Sequence, residues 1–412
     1  MPWVAAVRVA EGLENGYSFG NDFYQVWLTS QELLCHRSDP YRPEMTREIQ
    51  VGLYGRPLDP NRPEDPIDRR VFPYPAFADL LFWPTAEISF PVVRLGVLWV
   101  LIIVTFLSVL AWLRAFDWQP GWSWTAALAL LVLCNYPALE GLFAGQIGLL
   151  AAFVLAASML ALRRQKFLLA GVLMAVATIK PQVTALAIVY LLLWTWNEWR
   201  GRKFFSMGFF STFALLLAGS LVVLPHWIQN WVHTVLAYRH YTKPPLVTEV
   251  LTSSLGPTFS EPVTLVLTAA SVTVAIILAW RNRDATFGDF RFWLTLGLLL
   301  SITPIIILPG QAVYDHLILI PAILFLVRNR DRLRQAGLAS RILLGVGAGV
   351  LFWPWITSFA LIVLRPIIAP AVFDSSAILA LPIRNAASLP FAVLALLLWM
   401  WRINVARTKE PA

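Results

Sequence analysis

Residues 167–197 read FLLAGVLMAVATIKPQVTALAIVYLLLWTWN, an apolar run interrupted once, at Lys180 and Pro181. As one helix, about thirty residues rising ~1.5 Å each would extend ~45 Å, well beyond the ~30 Å hydrocarbon core of a bilayer. Proline is tolerated in the first turn of a helix but disrupts its interior, so Pro181 is predicted to start a second helix. The stretch therefore predicts a hairpin of two short helices, broken at 178–182 and short enough to be re-entrant.

The whole chain has the composition of a membrane protein. Of its 412 residues, 58% are hydrophobic and only 14% are charged, whereas a soluble domain carries about 25% charged residues. Besides the hairpin, apolar runs suited to helices lie near residues 88–113, 122–137, 146–162, 204–224, 262–280, 290–308, 313–328, 341–363 and 386–402. The predicted fold is an all-α polytopic bundle of about 11 transmembrane helices.

Basic residues indicate how this bundle is oriented. With both ends of the hairpin on one side, that side holds most of them, including RRQK (163–166) and RGRK (200–203). The positive-inside rule makes this side cytoplasmic, so the net charge of +8 reflects topology rather than nucleic-acid binding. Residues 1–87 are then an extracytoplasmic region with interfacial helices, and 88–412 form the bundle. Because no signal precedes 1–87, we expect an upstream first helix, which would make twelve.

Polar side chains are predicted to collect at the extracytoplasmic ends of the helices. Lys180 at the hairpin tip either snorkels to the interface or contacts a phosphate, aided by the N-terminus of the helix that begins at Pro181. His316, which follows Asp315 at the start of a span, either caps that helix or orients a phosphate or a hydroxyl. Function is therefore expected to face outward.

Other polar segments do not predict a metal or nucleotide site. Three histidines at 226, 233 and 240 recur every seven residues in the extracytoplasmic loop 225–261, so they would lie two turns (~10 Å) apart and could not share one ion. The segment 36–76, which is rich in Pro, Asp and Arg, lacks a calcium-loop pattern. No P-loop or G-x-G-x-x-G fingerprint is present. We expect no metal and no cofactor.

Several stretches, taken in order, resemble a known family. They are NDFYQVW (21–27), SDPY (38–41), FPYPAFADLLFWP (72–84), NYPALEGLFAGQIGLLAAFVLAAS (135–158) and LAGVLMAVATIKPQ (169–182). In order and spacing they resemble glycosyltransferase family 87, polytopic GT-C enzymes whose members include mannosyltransferases that use polyprenyl-phosphate mannose. The resemblance covers nearly the whole chain and implies a hexosyltransferase of the cell membrane.

The resemblance implies a role for Asp22. GT-C enzymes use an acid in the first extracytoplasmic loop as catalytic base, and Asp22 matches that position. The hydrophobic helix that normally precedes this acid is not seen here. Where the family often has Tyr-Tyr this chain has YQVW, which leaves Tyr24 as a candidate contact for sugar. From the residues alone, Asn21 or Asp22 is predicted to be the N-cap of a helix FYQVWLTSQELL that rests on the membrane, a role that is compatible with catalysis.

The chemistry of such a transfer requires one base. A sugar phosphate has a leaving group that needs little protonation, so one carboxylate that takes the acceptor proton suffices, and the anomeric carbon is inverted. Asp22 must be ionised for this and needs polar or cationic neighbours. The candidates for contact with the donor phosphate are Lys180, His316, Arg69 and Arg70, and those for contact with substrate are Tyr24, Gln146, Gln182, Tyr314 and Asp315.

The predicted function is transfer of a hexose, mannose by analogy with the family. The donor is a polyprenyl-phosphate sugar and the acceptor a lipid or glycan on the extracytoplasmic face of the membrane, with membrane lipids as the surroundings and no nucleic-acid partner. The alternative is a secondary transporter or a lipid or polyprenyl-phosphate flippase, which would also use a broken helix carrying a lysine at depth.

Overall fold

The computed structural model describes residues 19–238, 242, 245–248, 257–310, 312–368, 378 and 381–407. Within these ranges the regular structure is helical, and the one β-type contact is an isolated bridge between Pro245 and Pro309. Residues 1–18 of the predicted N-terminal region, His240 and much of the predicted loop 225–261 lie outside the described residues.

The region before the bundle folds into three helices. These are α1 (Asn21–Cys35), α2 (Pro43–Tyr54) and α3 (Ala76–Leu81). A small apolar cluster that includes Phe72, Phe23 of α1 and Ala78 of α3 joins α1 and α3 to Val93 and Ile147 of the bundle. Burial of these side chains removes apolar surface from water and holds α1 against the bundle.

The bundle contains the remaining helices. They are α4 (Phe90–Ala115), α5 (Trp122–Leu133), α6 (Tyr136–Ala144), α7 (Gly148–Arg163), α8 (Phe167–Val176), α9 (Pro181–Asn197), α10 (Trp199–Val223), α11 (Trp227–Tyr238), α12 (Pro257–Arg281), α13 (Phe290–Ile306), α14 (Ile320–Arg328), α15 (Arg330–Gln335), α16 (Leu338–Leu364), α17 (Leu381–Arg384) and α18 (Leu389–Arg407). Two 3-10 segments matter for the site, Ala177–Ile179 and Val313–Leu319.

Five of the described helical segments are long and apolar enough to cross a membrane, which is the architecture of a polytopic membrane protein. They are Phe90–Ala115, Trp199–Val223, Pro262–Arg281, Leu338–Leu364 and Leu381–Val405. Helices α5 and α6, bent by 60° at their junction, make a sixth if they count as one span. Other apolar helices are shorter, and a helix of 16 residues such as α7 reaches only ~24 Å. The count of eleven crossings stays a prediction.

The helix is interrupted at residues 177–180. Helix α8 ends at Val176, a 3-10 turn covers Ala177–Ile179, and Pro181 occupies the first turn of α9. Proline fits there because the first amides of a helix have no partner within it. Lys180 at the junction is 4% exposed, so the break carries a lysine into the protein interior.

Helices α8 and α10 pack backbone against backbone. A Cβ added to Gly171 would lie 2.0 Å from the carbonyl oxygen of Phe205, and one added to Gly208 would lie 2.3 Å from that of Leu168. Small residues at such crossings let helices approach closely in a bilayer, where van der Waals packing drives association. This contact holds the first half of the broken hairpin in place.

Candidate functional site

Asp22 lies in the first turn of α1, two residues after the N-cap residue Gly20. The positive end of the helix dipole favours a carboxylate at this position. Neither Asn21 nor Asp22 occupies the cap position, so the predicted alternative in which one of them is the N-cap is wrong. The side chain of Asp22 is 19% exposed and is therefore accessible from one side.

Two glycines bring Asp22 against the bundle. Gly20 (φ 86°) and Gly145 (φ 71°) both adopt left-handed backbone conformations, which favour glycine. A Cβ on Gly145 would lie 3.0 Å from Cα of Gly20 and 2.9 Å from Cβ of Phe23, and the Gly20 amide donates to the Phe143 carbonyl at 2.8 Å. The start of α1 is thereby fixed beside residue 146.

The carboxylate of Asp22 has two partners. Arg70 Nη1 donates to Oδ1 at 2.7 Å, and Gln146 Nε2 donates to Oδ2. Arg70 is itself held, because its Nε donates to the hydroxyl of Tyr54 at 2.9 Å and its amide to Asp68 Oδ1 at 2.9 Å. Asp22 therefore has the cationic and polar neighbours that an ionised carboxylate requires.

Arg70 is a permanent positive charge beside Asp22. Burial by itself lowers the pKa of its guanidinium, but the charges of Asp22 and Asp68 and the Tyr54 hydroxyl outweigh burial, so the pKa lies above its usual value. Its backbone has φ 58°, a left-handed conformation that is uncommon outside glycine. The hydrogen bond from its amide to Asp68 stabilises this turn.

Deeper in the protein, Lys180 connects the hairpin to the segment that precedes α14. Its Nζ donates to Asp315 Oδ1 at 2.8 Å and to Gln146 Oε1 at 3.1 Å, and lies 4.6 Å from the ring centre of Tyr314. The side chains of Lys180 and Asp315 are 5% and 1% exposed. A Cβ on Gly148 would lie 2.2 Å from Asp315 Oδ1, so glycine is needed where α7 passes this ion pair.

The structure thus brings together five of the residues selected from the sequence in one continuous set of contacts, hereafter the polar chain. Its members, in order, are Arg70, Asp22, Gln146, Lys180 and Asp315. Four further residues contact it that sequence reasoning had not selected, Tyr54, Asp68, Tyr74 and Gly148. The only advance signal for Tyr74 was its position in the aromatic stretch FPYPAF (72–77).

Other predicted residues lie apart from the polar chain. Tyr24 packs edge-on against Phe90 with ring centres 4.8 Å apart. Arg69 is exposed, and its carbonyl accepts from Gln50 Nε2 at 2.8 Å. Gln182 is half-buried in the first turn of α9. His316 is 4% exposed, and its Nδ1 has no hydrogen-bond partner among the described residues.

A cavity of about 620 Å³ is lined by residues of the region before the bundle and by two residues of α11, without any of the five members of the polar chain. Its lining includes Arg47, Arg62 and Arg69, together with the ring of Tyr41. Tyr41 donates to the carbonyl of Tyr74 at 2.8 Å, which links the cavity wall to the polar chain. Within the part of the chain that the structure describes, no group of three His, Cys, Asp or Glu side chains could hold a metal ion.

Comparison with known proteins identifies one family. The family model "Glycosyltransferase family 87" matches residues 72–306. The matched range contains Gln146 and Lys180 of the polar chain. Asp22, Arg70 and Asp315 lie outside the matched range; Asp22 contacts Gln146 and Arg70, and Asp315 contacts Lys180. No curated protein matches the sequence.

Proposed function

The chain belongs to glycosyltransferase family 87, and we propose that it moves a hexose from a polyprenyl-phosphate sugar to a hydroxyl group of a lipid or glycan, with Asp22 as general base. Family membership makes the chain a glycosyltransferase rather than a transporter or flippase. The observation that carries the proposal is the partly exposed Asp22 carboxylate, held between Arg70 and Gln146.

The proposed reaction is a single displacement. The acceptor oxygen forms a bond to the anomeric carbon while the bond from that carbon to the phosphate oxygen breaks, and the electron pair leaves with the phosphate. The acceptor proton passes to Asp22. A carboxylate has about four lone-pair positions, and two are occupied by Arg70 and Gln146, so the others can accept this proton. Attack opposite the leaving group inverts the anomeric carbon.

Arg70 is proposed to serve both the base and the donor phosphate. Its Nη1 and Nε are engaged, whereas its Nη2 makes no hydrogen bond within the described residues. A phosphate oxygen bound by Nη2 would lie across one guanidinium from Asp22, which keeps leaving group and base close without direct repulsion. Arg69, exposed on the neighbouring cavity, is a second proposed phosphate contact.

The remaining predicted phosphate contacts require movement. Lys180 could reach a phosphate only by releasing Gln146 or Asp315. His316 is buried and would have to turn toward the substrate. We retain both as proposals for the state with donor bound. Tyr24, Gln182, Tyr314 and Asp315 remain candidates for contact with substrate on the same footing.

A lipid-linked donor suits a site of this kind. An apolar tail can lie along or between the helices of the bundle while its phosphate meets the arginines at the edge. The proposed extracytoplasmic location of the site agrees with a lipid-linked donor, because nucleotide-activated sugars are not supplied on that side of the membrane. Mannose is the first sugar to test, on the strength of the family resemblance.

The experiment compares donors with the purified full chain in lipid nanodiscs and extracted membrane lipids as acceptors. We expect radiolabel to pass from polyprenyl-phosphate mannose, or from another polyprenyl-phosphate hexose, but not from the matching nucleotide sugar. Transfer from the nucleotide sugar alone would contradict a lipid-phosphate donor.

A further inference from the structure

The polar chain runs from the exposed edge of the site into the protein interior. Asp22 accepts from Gln146, Gln146 accepts from Lys180, and Lys180 pairs with Asp315. The side chain of Asp22 is 19% exposed, whereas Lys180 and Asp315 are 5% and 1% exposed. The proposed reaction uses the exposed end of the chain, whereas Lys180 and Asp315 at the buried end are bonded to Gln146 and to each other in the described state.

The buried end determines which way the Gln146 amide faces. An ammonium group can only donate hydrogen bonds, so Lys180 requires the amide oxygen Oε1 on its side, at 3.1 Å. The hydroxyl of Tyr74 also donates to Oε1, at 3.5 Å. Nε2 must then face Asp22, where it donates to Oδ2. A flipped amide would set its oxygen against the carboxylate and its NH2 group against the ammonium.

Lys180 can hold this position because its charge is matched inside the protein. Its two hydrogen bonds go to Gln146 and Asp315, and its remaining side meets the ring of Tyr314 at 4.6 Å. A buried lysine without a counter-ion is strongly unfavourable. The pair with Asp315 therefore stabilises a fixed donor to Gln146 in the described state.

We infer that Gln146 is a positioning residue for the general base, and that the buried Lys180–Asp315 ion pair fixes the amide orientation in which Gln146 donates to Asp22. This inference rests on the proposed function. It assigns Gln146 to the base rather than to the substrate, and it lets Lys180 act on the reaction through an amide, without contact to the donor phosphate.

The inference predicts a change in the pH profile. Hydrogen bonds to the ionised carboxylate favour it over the protonated form, so loss of the Gln146 donor moves the acidic limb of the rate profile to higher pH. The charged and titratable groups around Asp22 are Arg70 and Asp68 on the loop before α3, Tyr54 on α2, Tyr74, and Lys180, Tyr314 and Asp315 in the interior. Arg70 stays charged throughout, and it is unchanged in the variants below.

The first test measures kcat, KM for the donor and the pH profile of Gln146→Leu, beside Asp22→Asn and the exposed control Glu87→Gln. For Gln146→Leu we expect kcat to fall about 10- to 100-fold, as for loss of one hydrogen bond to a charged group, and the acidic limb to move to higher pH. Glu87, exposed on the approach to α4, should behave like the wild type.

The second test separates orientation from stability. Lys180→Met leaves Asp315 buried and unpaired and should lower the melting temperature, whereas Lys180→Met with Asp315→Leu removes both charges and should recover most of it. If the pair orients Gln146, the recovered double variant keeps the reduced kcat and the raised acidic limb. Should Gln146→Leu fail to fold, this double variant decides the matter.

Three results would overturn the inference. One is a double variant with wild-type kcat and pH profile, which would make the ion pair merely structural. Another is a rise in KM for the donor at unchanged kcat, which would make Lys180 a substrate contact. The third is a Gln146→Leu variant with the kcat and pH profile of the wild type, measured beside an inactive Asp22→Asn. Full activity of Asp22→Asn would instead overturn the proposed function itself.

Discussion

At the scale of single residues, the two hydrogen bonds to the Asp22 carboxylate fix its direction. Arg70 supplies a fixed positive charge at 2.7 Å, and Gln146 supplies a neutral donor. An arginine suits this position because its planar guanidinium donates from Nη1 to Asp22 and from Nε to Tyr54 in a fixed fork geometry.

Arg70→Met should lower the transfer rate by about 100-fold, because the base and the departing phosphate both lose a charged donor. Arg70→Lys should lower the transfer rate less, because the positive charge is kept. Some loss remains, because the contact with Tyr54 is removed. The measurement is kcat/KM with the lipid-phosphate donor. Arg42→Met, at an exposed arginine that begins α2, is the control, and equal losses in the Arg42 and Arg70 variants would contradict a specific role for Arg70.

At the scale of helices, the known preferences of proline predict the break at Lys180 and Pro181. Which side chains then contact each other depends on packing between elements that are distant in sequence. Nothing local to Tyr24 indicates that its ring packs against Phe90, far along the chain. Arg69 and Arg70 are adjacent in sequence, and only the left-handed turn at Arg70 directs that side chain to Asp22. The sequence could therefore select residues for the site but could not pair them.

Helix α3 carries a buried carboxyl that should make stability depend on pH. Asp79 is 0% exposed, its Oδ1 accepts from Thr29 at 2.9 Å and from Ser30 at 3.3 Å, and burial raises its pKa well above the usual value. Its contribution to stability is then fully present below about pH 4, the unfolded value, and is lost as pH rises through the folded pKa.

Asp79→Asn should remove that slope, because the amide is neutral and its oxygen can still accept from Thr29. We expect the melting temperature of the wild type to fall between acidic and neutral pH. That of the variant should fall less and should equal or exceed the wild-type value near neutral pH. Thermal melts in detergent across this range measure it. A slope as steep in Asp79→Asn as in the wild type would contradict a buried, protonated Asp79.

The contact between α8 and α10 should tolerate no side chain at Gly171. Its Cβ would meet backbone at 2.0 Å, and such overpacking costs about 1–3 kcal/mol. Gly171→Ala should therefore lower the melting temperature in detergent. Gly345→Ala on α16, where a Cβ meets nothing within 4 Å, should leave it unchanged or raise it. Equal melting temperatures for the two variants would argue against the close helix contact.

At the scale of the whole molecule, the orientation in the membrane follows from the uneven distribution of basic residues. The loops with RRQK (163–166) and RNRDRLR (328–334) are predicted to face the cytoplasm. Helices α1 to α3, with Asp22, then face outward. A lipid-linked donor fits an outward site, because nucleotide-activated sugars are not supplied there. The apolar tail of such a donor also explains why the transferase is built from apolar helices.

Cysteine labelling tests that orientation. Cys35 is exposed at the end of α1, and with Cys134→Ala it should react with a membrane-impermeant maleimide added to intact cells. Asp331→Cys, at an exposed position of α15, placed in a background that also carries Cys35→Ala and Cys134→Ala, should react only after permeabilisation. The opposite pattern would place the site on the cytoplasmic side.

The central claim is that Asp22 takes the proton of the acceptor, and its most direct test is the transfer rate of Asp22→Asn in protein of wild-type melting temperature. Asparagine keeps the shape and can still bond Arg70, but it cannot accept the proton as a carboxylate does, so we expect the rate to fall by about 10²–10⁴-fold. Glu87→Gln should retain the wild-type rate. A folded Asp22→Asn that transfers sugar as fast as the wild type would contradict the account.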